Sequence, residues 1–226
     1  MQTYLNDPTL KAAFLAEITK HEEQDQLVKG TYGQMNGAFT GCAIGCALHS
    51  LNVLQGKTGK AAADRTGVHA RYEQELGLPT WFAYLEDNVF ETLPNELAVT
   101  WPRRLAEAIP VGAVVDDRVL AQILIWCSSD AEFGARYATD RDDVRAWIDA
   151  VAIYIDADSK GEATADQREA AARAAWDAWD ARAARAAWAA WDAWDGTNSS
   201  RGKANAFSPT LSEFVLSVVR ALPTGA

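Results

Sequence analysis

Cysteine, histidine and basic residues are all scarce in this chain, and each shortage excludes something. Three cysteines, an odd number in 226 residues, do not read as a disulfide framework. A reducing cytoplasm is therefore the expected location. None of the three histidines follows a glutamate by three positions, so the paired Glu-x-x-His motifs of di-iron bundles are missing. Lysine and arginine number 21 against 31 acidic residues, a formal charge of -10. That balance gives no basic patch to neutralise phosphates or to dock on an anionic bilayer, so neither direct DNA binding nor membrane binding is expected. The opening MQTYLNDPTLKAAF lacks a basic segment followed by an apolar one, and no signal peptide is expected. The longest apolar run, VLAQILIWC at 119–127, is too short to span a bilayer.

What is present reads as helix. Asp7 and Pro8 supply an N-cap and a first-turn proline, predicting a helix over 8–28. KGTYGQMNGAFTG at 29–41 holds four glycines and reads as a loop. A second helix is predicted from Thr40 through Leu54, and others at 68–76, 79–92, 95–108, 116–129, 140–157 and 209–221. VGAVV at 111–115 is the one candidate strand, and 196–205 reads as a Gly/Ser/Asn linker. The expectation is all-α: a single multi-helix bundle over 1–226. Within it, 1–160 is a Cys/His-containing helical core, and 161–226 supplies a long Ala/Trp-rich helix, the linker and a final helix.

Within 162–195 the heptapeptide AAWDAWD occurs at 174–180 and again at 189–195. On a helix that offset overshoots four turns by roughly 60°, so the rings spread around about half the circumference. Alanine fills most other positions, favouring helix and close backbone approach. Three readings stand: a helix whose rings fill the core, a partner surface, and a stacking cleft for nucleobases. As a surface, its contact residues would be Trp176, Trp179, Arg182, Arg185, Trp188, Trp191 and Trp194.

GCAIGCALHS at 41–50 is the chemically richest stretch. On a helix over 40–54, Cys42, Cys46 and His49 lie within about 60° of one another. That face offers three ligands to zinc, with a fourth from His69, Cys127 or a carboxylate. Alternatively Cys42 is a nucleophile, its thiol activated by the helix N-terminus, with Thr40 as N-cap and His49 or His69 as base. Gln34 or Asn36 would then assist an oxyanion. The same letters also describe a smooth surface of small residues and inert buried thiols, against which the Ala-rich helix packs. Further on, His69 and Glu73 are spaced as a surface pair, and Glu86, Asp87 and Glu91 bring carboxylates to the next helix. Such carboxylates frame a divalent metal in some bundles and form a solvated helix face in others.

The order GCAIGCALHS, HARYEQELGLP, LEDNVFETLPN, WPRRLAEAIPVGA and then an Ala/Trp/Arg/Asp-rich helix resembles an uncharacterised family of phage and bacterial mobile-element accessory proteins. The likeness covers most of the chain and includes Gly41, Cys42, Gly45, Cys46, His49, His69, Tyr72, Glu73, Glu86, Asp87, Phe90, Glu91, Trp101, Pro102 and Pro110. The Ala/Trp-rich tail is similar to segments of immunity-like proteins. This resemblance implies a genetic context and no catalytic residues. It makes a non-enzymatic, cytoplasmic binding protein the expected function, one that inhibits or sequesters a component of host defence. Its partner would be a host or phage protein or a small nucleotide ligand, with homo-oligomers possible and no cofactor. The competing expectation is a thiol- or zinc-dependent enzyme centred on Cys42, Cys46 and His49, with His69.

Overall fold

The structure, a computed structural model, describes residues 1–36, 38–137, 139–179 and 198–224. The Asp7 carboxylate accepts from the Thr9 amide at 2.7 Å and Pro8 occupies the first turn, so α1 (Pro8–Glu23) begins where local chemistry dictates. It stops short of the expected end because Asp25 turns into the left-handed region at a φ of 54°. The glycine-rich stretch is not all loop. It forms a short antiparallel hairpin, β1 (Gln34–Asn36) with β2 (Ala38–Thr40), in which Met35 faces Phe39. Among the described residues this hairpin is the only sheet, and the fold is all-α. VGAVV supplies only a single bridge, from Ala113 to Thr224.

Because Thr40 ends β2, α2 (Ala43–Leu54) starts later than its letters suggest, with Cys42 as N-cap. Nearly every side chain of α2 is buried, so it is the axis of its unit. Asn52 fastens the polar connection that follows by donating to Ala62 and Asp64 carbonyls, each at 2.9 Å. Next come α3 (Ala70–Leu76), α4 (Thr80–Thr92), α5 (Asn95–Ala98) and α6 (Trp101–Ala108). The helix expected over 95–108 is thus broken into α5 and α6 around Val99 and Thr100. Trp101 is wholly buried at that break, and its indole N–H donates to the Glu86 carbonyl at 3.2 Å. Tyr4, also buried, donates to the Ala106 carbonyl at 2.8 Å.

The chain divides into two compact units: Met1–Val115 with the segment from Ser212 onward, and Asp116–Leu211. In the second, Asp116 caps α7 (Asp117–Ser129), and α8 (Asp142–Ser159) packs against both α7 and α9 (Ala165–Trp179). Ala171 and Ala174 of α9 are buried, as close helix packing requires. The composition change near Gly161 falls within this unit, in the turn between α8 and α9. The last helix, α10 (Asn198–Arg220), begins inside the expected linker and continues through Pro209. Its residues from Ser212 belong to the first unit, where Val215, Leu216 and Val219 are buried and Glu213 pairs with Arg104 at 2.6 Å. Among the described residues no helix is long and apolar enough to cross a membrane.

Candidate functional site

Helix α4 carries Tyr84, Asp87 and Glu91 at i, i+3 and i+7, which places them on one face. The Cys42 end of α2 lies against that face. One donor atom each from Cys42, Asp87 and Glu91 falls within a common 4.8 Å. The segment before the hairpin closes over the pair. Its Gly30 amide donates to both Glu91 carboxylate oxygens, at 3.0 and 3.1 Å, and the Tyr32 hydroxyl donates to Asp87 Oδ2 at 3.2 Å. Lys29 donates to the Leu93 carbonyl at the end of α4, and the Cys42 amide donates to the Thr31 carbonyl at 2.7 Å. The backbone thus fixes the spacing between α2, the hairpin and α4.

His69, the N-cap of α3, completes the cluster, with Nε2 3.6 Å from Asp87 Oδ2. Its ring stacks on Tyr84 at 3.8 Å and meets Tyr32 edge-on at 6.0 Å, so its direction is set by packing. Two polar atoms here are buried and have no hydrogen-bond partner: His69 Nε2 and Asp87 Oδ1. Buried polar atoms are rarely left unmatched, and here two fall in one cluster. The floor is closed and the rim is open: Cys42 is 2% exposed and His69 8%, whereas Tyr32 is 40% and Tyr84 52% exposed.

The electrostatics oppose a free thiolate. Burial pushes the Cys42 thiol up to about 12, and Asp87 beside it acts in the same direction. The backbone amides of Gly45 and Ile44 at the helix N-terminus pull the other way and are outweighed. The helix-end activation expected from sequence is real but too weak in this setting. A cation here would oppose both effects, since its charge favours the thiolate and Asp87 would turn from a repelling neighbour into a fellow ligand.

Glu86, next to Asp87 in sequence, turns about 100° away along the helix and is buried in the core. Burial raises its carboxyl to about 8, Asp87 adds to the rise, and Tyr72 opposes it. Glu73 accepts from the Thr80 hydroxyl at 3.2 Å and His69 pairs with Asp87, so the expected His69–Glu73 surface pair is replaced.

Cys46 and His49 point elsewhere. Cys46 Sγ donates to the Gly41 and Gln26 carbonyls at 3.5 and 3.7 Å, and burial raises its thiol strongly. His49 stacks on Phe39 at 4.3 Å, and its Nδ1 lies 3.3 Å from His21 Nε2. Gln26 donates through Nε2 to Gln24, so its oxygen accepts from His21 Nδ1. That leaves His21 Nε2 to accept from His49 Nδ1–H. The two rings are held neutral in one tautomeric chain. Burial lowers the His21 imidazole to about 4, with His49 adding to the effect and Gln26 and Glu17 opposing it. An unfolded His21 binds its proton near pH 6.5, so stability is lost as pH falls from there towards 4. Glu86 tilts stability the other way over the same window, so the effect is read in a Glu86→Gln background. There the urea midpoint is expected to drop between about pH 6.5 and 5, and His21→Gln to flatten that slope. An equal slope in both proteins would contradict the neutral pair.

Of the sequence candidates, Cys42 and His69 are therefore brought to one carboxylate, Asp87, while Cys46 and His49 are engaged with the hairpin. Cys127 lies on α7, in the other unit. The backbone of α9 carries Trp176 and Trp179, and Arg182, Arg185, Trp188, Trp191 and Trp194 lie outside the described residues. Asp87 and Glu91 are the members whose role was hidden by their resemblance to an ordinary solvated face. The readable signal was their shared register with Tyr84. No family model, curated protein or solved structure matches the chain.

Proposed function

We propose that this protein works as a metalloprotein, with a divalent transition-metal ion held by Cys42, Asp87 and Glu91 and with His69 orienting Asp87. The observation that carries this reading is the buried His69 Nε2, which has no hydrogen-bond partner, beside three donors within 4.8 Å of one another. Carboxylates alone are commonplace. A histidine more than nine-tenths buried, with an unsatisfied nitrogen turned to the same carboxylate, is not.

The donor set indicates the metal. A thiolate selects zinc or a similar soft-to-borderline ion over magnesium and calcium, which take oxygen ligands. Three anionic ligands against a divalent ion leave one residual negative charge. Ligating carboxylates in such centres are themselves held by outer-shell hydrogen bonds, the part His69 would play for Asp87.

Titration of chelator-treated protein with Zn²⁺ or Co²⁺ tests the reading. One ion per chain is expected, with a thiolate-to-cobalt absorption band that Cys42→Ser abolishes. Asp87→Asn and Glu91→Gln weaken binding by about 100-fold or more, and His69→Gln by about 10- to 100-fold. Cys46→Ala leaves affinity within about threefold, since its thiol is engaged with the Gly41 and Gln26 carbonyls. Failure to take up an ion, or unchanged affinity in Cys42→Ser, overturns the proposal.

A further inference from the structure

We infer that this metal centre is open, with a coordination position facing the rim where an oxygen-donor ligand binds under the Tyr32 hydroxyl. The inference rests on the metal reading above and adds what the centre binds.

Three lines of geometry converge. First, the donor atoms that share one 4.8 Å neighbourhood number three, and His69 Nε2 is not among them. Its ring is clamped by Tyr84 on its face and Tyr32 at its edge, so it does not swing in to supply a fourth ligand. Zinc with three protein ligands keeps its fourth position for water or substrate, whereas structural zinc takes four protein ligands. Second, the protein covers the cluster on one side only. Cys42 at the floor is buried, Asp87 and Glu91 are half-buried, and Tyr32 and Tyr84 at the rim are exposed. A fourth ligand would therefore reach an ion held by these three residues from the exposed side, where Tyr32 and Tyr84 stand.

Third, Tyr32 stands where an incoming ligand would arrive. Its hydroxyl contacts Asp87 Oδ2, and both Cys42 and Tyr84 lie close enough to bear on its ionisation. Its single O–H, which rests on Asp87, can turn to an incoming carbonyl, carboxylate or phosphoryl oxygen beside the metal.

Simple hydroxamates, which present two oxygens to a metal, are the probe. The protein is loaded with Co²⁺ and titrated with acetohydroxamate while the visible d–d bands are followed. A saturable spectral change is expected. Tyr32→Phe is titrated at a Co²⁺ concentration that saturates the variant, so that any metal loss through Asp87 is held apart. There the change requires about tenfold more hydroxamate, as loss of one hydrogen bond to the ligand implies. Tyr32 is largely exposed, so the variant is expected to fold. A cobalt-loaded protein whose bands ignore hydroxamate overturns the open position and leaves the metal reading standing. The closed alternative then makes His69 the fourth ligand, and His69→Ala would cost well over 100-fold in Co²⁺ affinity. Unchanged hydroxamate affinity in Tyr32→Phe overturns the role of the hydroxyl. A chain that binds no cobalt removes the metal reading, and this inference with it.

Discussion

Gly45→Ala is expected to destabilise the protein by at least about 2 kcal/mol, although the same change in an ordinary helix stabilises by up to about 1 kcal/mol. The reversal of sign comes from one contact. A Cβ at position 45 would sit 2.1 Å from the Tyr32 carbonyl oxygen and 2.7 Å from the carbon bearing it. Those atoms are backbone, held in place by the neighbouring Thr31 carbonyl's bond to the Cys42 amide, and no rotamer change moves them aside. Relief requires the hairpin to lift from α2. Lifting it also withdraws the Tyr32 hydroxyl from Asp87 and the Gly30 amide from Glu91. Urea denaturation measures the first effect, and zinc affinity of whatever fraction folds measures the second. A midpoint equal to or above the parent's would mean that the hairpin does not pack on Gly45.

Glu86→Gln in chelator-treated protein is expected to remove most of a pH-dependent loss of stability on the alkaline side. The folded carboxyl ionises near 8, because burial penalises the charge, whereas the unfolded one ionises near 4.5. A group whose folded value is raised stabilises fully below its unfolded value and loses that contribution as pH rises to the folded value. The window therefore runs from about pH 4.5 to 8. At about 1.4 kcal/mol per pKa unit, the loss is on the order of a few kcal/mol. Glutamine keeps the shape and cannot ionise, so the variant should overtake the parent as pH rises. His21 tilts stability the opposite way between about pH 4 and 6.5, so the two offset each other there and the Glu86 loss stands alone above about pH 6.5. A parent protein with a flat profile from about pH 6.5 to 8.5 would show that the Glu86 carboxyl reaches water.

Much of the fold was legible because its signals are local. The Asp7–Pro8 start of α1 acts over three or four residues and holds as read, and the helices expected over 116–129 and 79–92 form within a residue of those bounds. The errors lie where tertiary contacts override local preference. Thr40 looked like a helix cap, yet it pairs with Gln34 in the hairpin, so Cys42 caps α2 instead. Phe39 explains why: its ring covers Gly33 and Gly41 and stacks on His49, giving a short glycine-rich hairpin an apolar anchor. The segment 95–108, by contrast, breaks at a local signal: Pro102, in the first turn of α6, has no N–H to continue the ladder from α5. Trp101 is buried at that break with its indole on the Glu86 carbonyl.

The sequence by itself determined the helical class, the places where most helices begin and the presence of a thiol at the start of the most buried one. Capping, proline geometry and helical periodicity are short-range, and they act alike in any fold. Only the tertiary structure decided which of the clustered side chains in GCAIGCALHS would meet chemistry. Helical spacing put Cys42, Cys46 and His49 on one face, but neighbours on that face need not share a partner. Cys46 and His49 are taken up by the hairpin and by His21, while Cys42, one turn earlier, meets Asp87 and Glu91 from a helix far along the chain. That meeting depends on a glycine at 45 small enough for the Tyr32 backbone to pass, a steric condition between two distant segments that no periodicity records.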